Sequence, residues 1–420
     1  MISGTAGCGV RYAVRKSGSA VGWCALSVRC GTRDEAGFHS GIAHFTEHTV
    51  FKGTAHKSAA VINSYLDRLG GELNAYTTKE DITFHATVLK EDLTKAAGLL
   101  FELATCPTFP EKEIETEKGV VIDEIQSYKD SPAEDVYDRF EEALFAGHPL
   151  SRPILGTVAS VKKITSDELH RFVREHFTPD RIVFTVVADF DEKRMEKAVL
   201  KLISHYFPDN HSEAGIPLEN VLRTPPGGEE CMEVPENHFD KTIEKRNHEV
   251  NAVLGGLAPS LYEQKERITA VLLANILGGP ASNSILNRIL REKNGWVYGV
   301  ECGYTQYRDT GIMAISLGCD RENLDKCFRE VEKAVRELQD KPLSERRLKA
   351  ARKQLLGQLA IGSESGEAQC LSMSKSLMAY GRVASAEENK RWIGDISAMD
   401  IQDMAAKIFS PEKISRLIYL

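Results

Sequence analysis

His44 and His48 stand four residues apart in "SGIAHFTEHTVFKGT", with Glu47 between them. On a helix, residues four apart share a face, so both imidazoles would point at one spot. Two imidazole nitrogens at that spacing suit a tetrahedral zinc, with Zn–N distances of about 2.0–2.1 Å. Glu47 falls on the same side, where a carboxylate can hold a zinc-activated water and take its proton. The same five-residue pattern also arises by chance on the polar stripe of an ordinary helix. A catalytic zinc needs a third protein ligand and leaves one position open, so the other parts must come from elsewhere in the chain.

The motif itself reads as a short helix, with Ser40 placed to cap its start and Gly53 placed to end it. A second helix is predicted in "PEKEIETEKGVVIDEIQSYKDSP": Pro110 suits the first turn, acids enrich the start, and "DSP" closes it. Ile114, Val121 and Ile125 mark its buried stripe. Glu117 and Glu124 each follow a stripe residue by three positions, which puts both at the edge of the buried side. A carboxylate held there must find a cation or hydrogen-bond donors. Zinc would satisfy Glu124, and Glu117 could orient a histidine from behind.

These pieces need a scaffold, and the chain writes one twice. "FPDNHSEAGIPLENVLRTPPGGEE", from Phe207 to Glu230, is rich in Pro and Gly and reads as a linker. It divides the sequence into an N-terminal domain, 1–208, a linker, 209–230, and a C-terminal domain, 231–420. In the first half the strand "ITFHATV" leads to the helix "KEDLTKAAGLLFELA", a Pro-containing break and the Glu117/Glu124 helix. In the second, "IMAISLG" leads to "DRENLDKCFREVEKAVREL", a break at Pro342 and "KPLSERRLKAARKQLLGQL". Leu93 and Leu324, Glu91 and Glu322, and Lys95 and Lys326 keep one register across the two copies. That register sets Leu348 and Leu355 opposite Glu117 and Glu124, while the helix matching the motif, "AVLLANILGG", has no histidine. Apolar residues at both positions place the two glutamates facing inward. The expected fold is α+β: two homologous domains, each a mostly antiparallel sheet with helices packed on one face.

Composition fits such a fold. The 420 residues are 42% hydrophobic and 27% charged, with a net charge of −8 and no long basic run, which argues against nucleic acid or an anionic membrane as partner. No apolar run reaches the ~18–20 residues that span a bilayer. The N-terminus lacks an apolar signal core, and "VRYAV" and "VGWCALSV" already read as strands. Nine cysteines without a CxxC pair fit buried thiols in a reducing compartment, the cytoplasm.

Over nearly its whole length the chain resembles the pitrilysin and mitochondrial-processing-peptidase family of zinc metallopeptidases, the HxxEH inverzincins. The resemblance is carried by "GTRDEAGFHSGIAHFTEHTVFKGT", by "LGGELNAYTTKEDITFHATV" and by the glutamate 76 residues past the second histidine. It implies one Zn²⁺ per chain on His44, His48 and Glu124, with Glu47 as general base and Glu117 as accessory acid. It further implies that Asn74 and Ala75 lie on an edge strand that pairs with an extended substrate, a main-chain mode of recognition. Phe51 matches an aromatic near the metal, and equally suits a core position on the motif helix. "ILREKNGWVYGV" resembles the family's Arg/Tyr element, which implies Arg291 and Tyr298 as donors to the scissile carbonyl. Thr46, Thr49 and Trp296 depart from the usual Leu, Met and Leu, and none is a ligand position. His85, His148 and His248 fit no constellation and read as ordinary histidines.

The expected function is a zinc metalloendopeptidase acting on peptides or unfolded segments. A two-domain chain with both the ligands and the Arg/Tyr pair fits a homodimer. The alternatives are the zinc-bearing half of a heterodimer with a motif-less homologue and a non-catalytic scaffold relative.

Overall fold

The β-branched and aromatic runs read as strands from the sequence are strands in the computed structural model, which describes residues 1–208, 232–245 and 249–420. The expected linker, 209–230, and His248 lie outside the described residues. Two compact units result. Unit 1 draws its described residues from Met1–Gln126, Arg152–Glu229 and Ile361–Val383, and unit 2 from Ser127–Ser151, Glu230–Ala360 and Ala384–Leu420.

Unit 1 contains β1 (Ile2–Thr5), β2 (Arg11–Lys16), β3 (Val21–Val28), β4 (Glu72–Thr77), β5 (Ile82–Leu89) and β6 (Ile182–Ala188), paired in the order β1-β2-β6-β3-β5-β4. Every pairing is antiparallel except β2 with β6. Its helices are α1 (Ile42–Val50), α2 (Ala59–Asn63), α3 (Leu93–Thr105), most of α4 (Glu111–Lys129), α6 (Val158–Val161), α7 (Ser166–His176), α8 (Glu192–Tyr206) and α12 (Gly366–Tyr380); α5 (Pro132–Leu144) belongs to unit 2. All seven residues of β6 are buried, which requires cover on both faces of the sheet. Alternation along the strands divides the work. Tyr12, Val14, Leu26, Phe184 and Val186 join the main core with α1, α3 and α8, whereas Ala13, Ala25, Val183 and Val187 pack under Cys370, Met373 and Leu377 of α12. The fit under α12 is close: a Cβ on Gly366 would stand 2.2 Å from the Trp23 ring. Arg11 closes the far end of that helix by donating to the Leu377 carbonyl at 2.7 Å.

Unit 2 contains β7 (Asp240–Ile243), β8 (Val250–Ala258), β9 (Val297–Gln306), β10 (Gly311–Cys319) and β11 (Ser415–Tyr419), in the order β7-β11-β8-β10-β9. The β7–β11 pair is parallel and the others antiparallel, so its five strands repeat the pairing of β2-β6-β3-β5-β4. Its helices are α5, α9 (Gln264–Gly278), α10 (Leu324–Asp340), α11 (Glu345–Gly362), α13 (Ala386–Asp395) and α14 (Ala398–Ile408). Val136, Phe140 and Leu144 of α5 cover one face with Val253, Ile312, Ala314 and Leu417. The duplication seen in the sequence is therefore a duplication of topology, with one addition. Each sheet receives a helix from the other half of the sequence, α12 for unit 1 and α5 for unit 2. No periodicity within α5 or α12 reveals which sheet it will cover.

Asp135 anchors α5. Its carboxylate accepts from the Tyr419 hydroxyl at 2.7 Å and from Lys245 Nζ at 3.0 Å. Burial opposes ionisation of Asp135, but Tyr419, Lys245 and Arg139 outweigh it and hold the carboxyl below its ordinary value. A depressed carboxyl stabilises the fold above its unfolded value, about 3.9, and that contribution is lost as pH falls through the folded value. Asp135→Asn is expected to cost about 1–3 kcal/mol at pH 7. Urea unfolding at pH 7 and pH 3 checks this: the gap to wild type should shrink at the lower pH.

All eight cysteines among the described residues are free thiols. No described helix is long and apolar enough to cross a membrane.

Candidate metal centre

Buried Ile42, Ala43, Phe45 and Val50 fix the roll of α1 and leave His44, Glu47 and His48 on its other side. The ends of α1 differ from expectation. Ser40 does not cap the helix: the N-cap is Gly41, at φ 90, and the buried Ser40 hydroxyl has no partner among the described residues. Glu35 does the capping, because its position lets both oxygens reach the Gly41 amide at 3.0 Å and Oε1 reach the Ala43 amide at 3.0 Å. Gly53 does not end the helix either. Phe51 is the C-cap, and Gly53 lies two residues on, bridged to Ser58.

Helix α4 presents the stripe predicted for it: Ile114, Glu117, Val121 and Ile125 are its buried residues, and Glu124 is half-buried at the edge. Glu124 Oε2 lies 3.4 Å from His48 Nε2 and 3.8 Å from His44 Nε2. One donor atom from each of His44, His48 and Glu124 lies within 4.8 Å of the other two. Donors of a tetrahedral zinc stand about 3.3 Å apart, given bonds of about 2.0–2.1 Å, and two imidazoles with one carboxylate are a zinc donor set. The residues fit the metal in chemistry and in convergence. Behind them, His48 Nδ1 lies 2.9 Å from Glu117 Oε1, and Lys52 Nζ lies 2.6 Å from Glu117 Oε2. A carboxylate behind a ligating imidazole fixes its ring and tautomer.

Electrostatics agree. Burial, then the nearby His48, pushes His44 down to about 4, so it presents the neutral imidazole that binds metal. Burial also opposes a charged His48, but Glu117 and Glu124 outweigh it and raise His48 to about 9. His48 in turn holds Glu124 below its ordinary value. Glu117 is held low by His48 and Lys52 despite its burial. Glu47 is pushed up by burial, against the Thr77 hydroxyl that donates to its Oε2 at 2.6 Å. A carboxylate made more basic by burial is suited to accept a proton.

Thr77, Lys52 and Glu35 did not stand out in the sequence. Two had a signal: Lys52 lies four residues after His48, and Thr77 shares a strand face with Leu73 and Ala75. Asn74 and Ala75 lie on β4, the edge strand next to β5, with Asn74 exposed and Ala75 packed against the core. Phe51 is partly buried against that core, its ring 6.1 Å from Phe84. His85 and His148 pair with Glu367 at 3.0 Å and Asp309 at 3.3 Å.

Comparison with known proteins decides the family. Residues 12–158 match the model described as insulinase, peptidase family M16, and residues 163–355 match the model of the peptidase M16 inactive domain. The chain belongs to peptidase family M16. Among its M16 relatives, the uncharacterized zinc protease YmxG of Bacillus subtilis is 28% identical over 92% of this chain and 90% of its own length. An uncharacterized zinc protease of Rickettsia bellii is 28% identical over 94% and 91%. The M16 fold is shared with a protease from Helicobacter pylori, at TM-score 0.86 and 20% identity, covering 100% of this chain and 98% of that one. It is also shared with a structure titled as a peptidase M16 inactive domain from Pseudomonas fluorescens, at TM-score 0.86 and 18% identity, covering 100% and 97%.

The two remaining M16 candidates, Arg291 and Tyr298, belong to unit 2. Arg291 lies in a π-type turn, Asn287–Lys293, and lines a cavity of about 440 Å³ with Glu249, Asn287 and Glu301. Tyr298 is exposed on β9 and donates its hydroxyl to Asp320 Oδ1 at 2.7 Å.

Proposed function

We propose that this chain is a zinc metalloendopeptidase that cleaves peptides or unfolded polypeptide segments. The observation that carries this is the convergence of His44 and His48 of α1 with Glu124 of α4, with Glu47 beside the two histidines on α1. Zinc bound there would supply Lewis acidity to a water and to a substrate carbonyl. Glu47 accepts the proton of the attacking water and passes it to the departing amine. Thr77 holds one Glu47 oxygen and leaves the other for that exchange. Glu117 and Lys52 keep the His48 ring in place.

The outer edge of β4, at Asn74 and Ala75, would take an extended substrate as an added strand, with main-chain hydrogen bonds supplying affinity. Arg291 and Tyr298 are assigned the oxyanion role, Tyr298 after leaving Asp320. The assembly proposed is a homodimer with one zinc per chain, located in the cytoplasm. A heterodimer with a motif-less homologue is distinguished by the size of the purified chain and by its activity alone. The scaffold alternative is disfavoured because every motif residue is present.

The test is hydrolysis of an unstructured peptide by the purified chain. Cleavage should stop with a chelator and return with zinc. Absence of cleavage in zinc-loaded protein of either assembly contradicts the assignment, and cleavage insensitive to the chelator excludes the metal's part in it.

A further inference from the structure

Helix α1 carries both histidines but is only nine residues long, and its partner ligand stands on α4. Nothing in α1 itself fixes where it begins. A helix start leaves four amides unpaired, and a Ser, Thr, Asp or Asn at the N-cap ordinarily serves one of them. Here the N-cap is glycine and the adjacent Ser40 hydroxyl has no partner among the described residues. Two of the amides, those of Gly41 and Ala43, are taken instead by Glu35, six residues before the N-cap, which has 0% of its surface exposed, and the Ile42 amide between them donates to the His39 carbonyl. Burying an acid is costly unless it is hydrogen-bonded. Burial pushes the Glu35 carboxyl up, while the Ala43 and Gly41 amides and the Arg152 guanidinium oppose it.

A second contact pins the same point. Gly41 at φ 90 meets Gly156 at φ 69 so closely that a Cβ on Gly41 would stand 2.7 Å from the Leu155 carbonyl oxygen. A Cβ on Gly156 would stand 2.3 Å from that of Ser40. The start of α1 is held by a buried carboxyl on one side and a backbone contact on the other. The second amide Glu35 holds, that of Ala43, directly precedes His44.

We propose that Glu35 is a positioning residue for the metal centre, setting the start of α1 so that His44 and His48 meet Glu124 on α4. The proposal rests on the zinc assignment above. Magnitudes favour it: a slip of one residue along a helix is about 1.5 Å, whereas ligand distances tolerate only about 0.2 Å. Glu35 touches no ligand and acts through the helix.

The experiment measures zinc affinity by chelator competition and stability by urea unfolding for wild type, Glu35→Ala, Glu35→Gln and Asp191→Ala. Asp191 caps α8 by accepting the Arg194 amide at 3.1 Å, so its loss reports cap removal on a helix without ligands. Glu35→Ala is expected to weaken zinc binding about 10–100-fold, the range seen when partners that orient ligands are removed. Glu35→Gln keeps one acceptor oxygen and should fall between it and wild type. Asp191→Ala should lower the urea midpoint and leave zinc affinity unchanged. If Glu35→Ala does not fold, Glu35→Gln decides, together with faster hydrogen exchange of amides 43–48 in its metal-free form. Zinc affinity unchanged in the folded Glu35 variants, beside a wild type that binds zinc, overturns the role of Glu35 alone. A wild type that binds no zinc overturns the metal assignment, and the role falls with it.

Discussion

Glu47→Gln should lower peptide hydrolysis about a hundred- to ten-thousand-fold, the contribution of a positioned general base, and leave zinc bound. Glutamine has the shape of glutamate, and its carbonyl oxygen can still accept from Thr77, which now donates to Glu47 at 2.6 Å. What it lacks is a basic oxygen. Glu47 is not one of the three converging donors, so the metal has no reason to leave. The loss should appear in kcat, with KM little changed, because β4 and the metal ligands are untouched. Full activity in Glu47→Gln would remove the base assignment. Loss of zinc with activity would show that Glu47 belongs to the ligand set.

Glu124→Ala should empty the site. Glu124 is the converging donor from α4, and without it α1 offers two imidazoles with no third donor converging on them among the described residues. A catalytic zinc site with three protein ligands would be left with two. The affinity loss should exceed the roughly 10–100-fold that an outer partner is worth, and hydrolysis should disappear with the metal. The fold should survive, because the buried stripe of α4 is Ile114, Glu117, Val121 and Ile125 and excludes Glu124. Unchanged circular dichroism with lost zinc is the expected pair of results. Zinc retained at wild-type affinity would place the third ligand elsewhere.

Much of this site was legible in the sequence because helical spacing is a local property. His44 and His48 share a face by their separation, and Glu117 and Glu124 follow the apolar stripe of α4. That His48 would stand between Glu117 and Glu124 required knowing that α1 and α4 meet, which the spacing within either helix does not state. The start of α1 departs from the expected Ser40 cap for a physical reason: Ser40 is the right residue type beside the right position, but Gly41 adopts a left-handed conformation and Glu35 takes the Gly41 and Ala43 amides. The strands and the duplication were legible from β-branched runs and a shared register. The exchange of α5 and α12 between sheets was not, because an amphipathic helix carries no address for the surface it will cover.

The most direct test of the central claim is the zinc content of the purified wild-type chain after reconstitution and dialysis. About one zinc per chain, held by His44, His48 and Glu124 and lost in Glu124→Ala, is the predicted result. A wild-type chain that retains no zinc would contradict it.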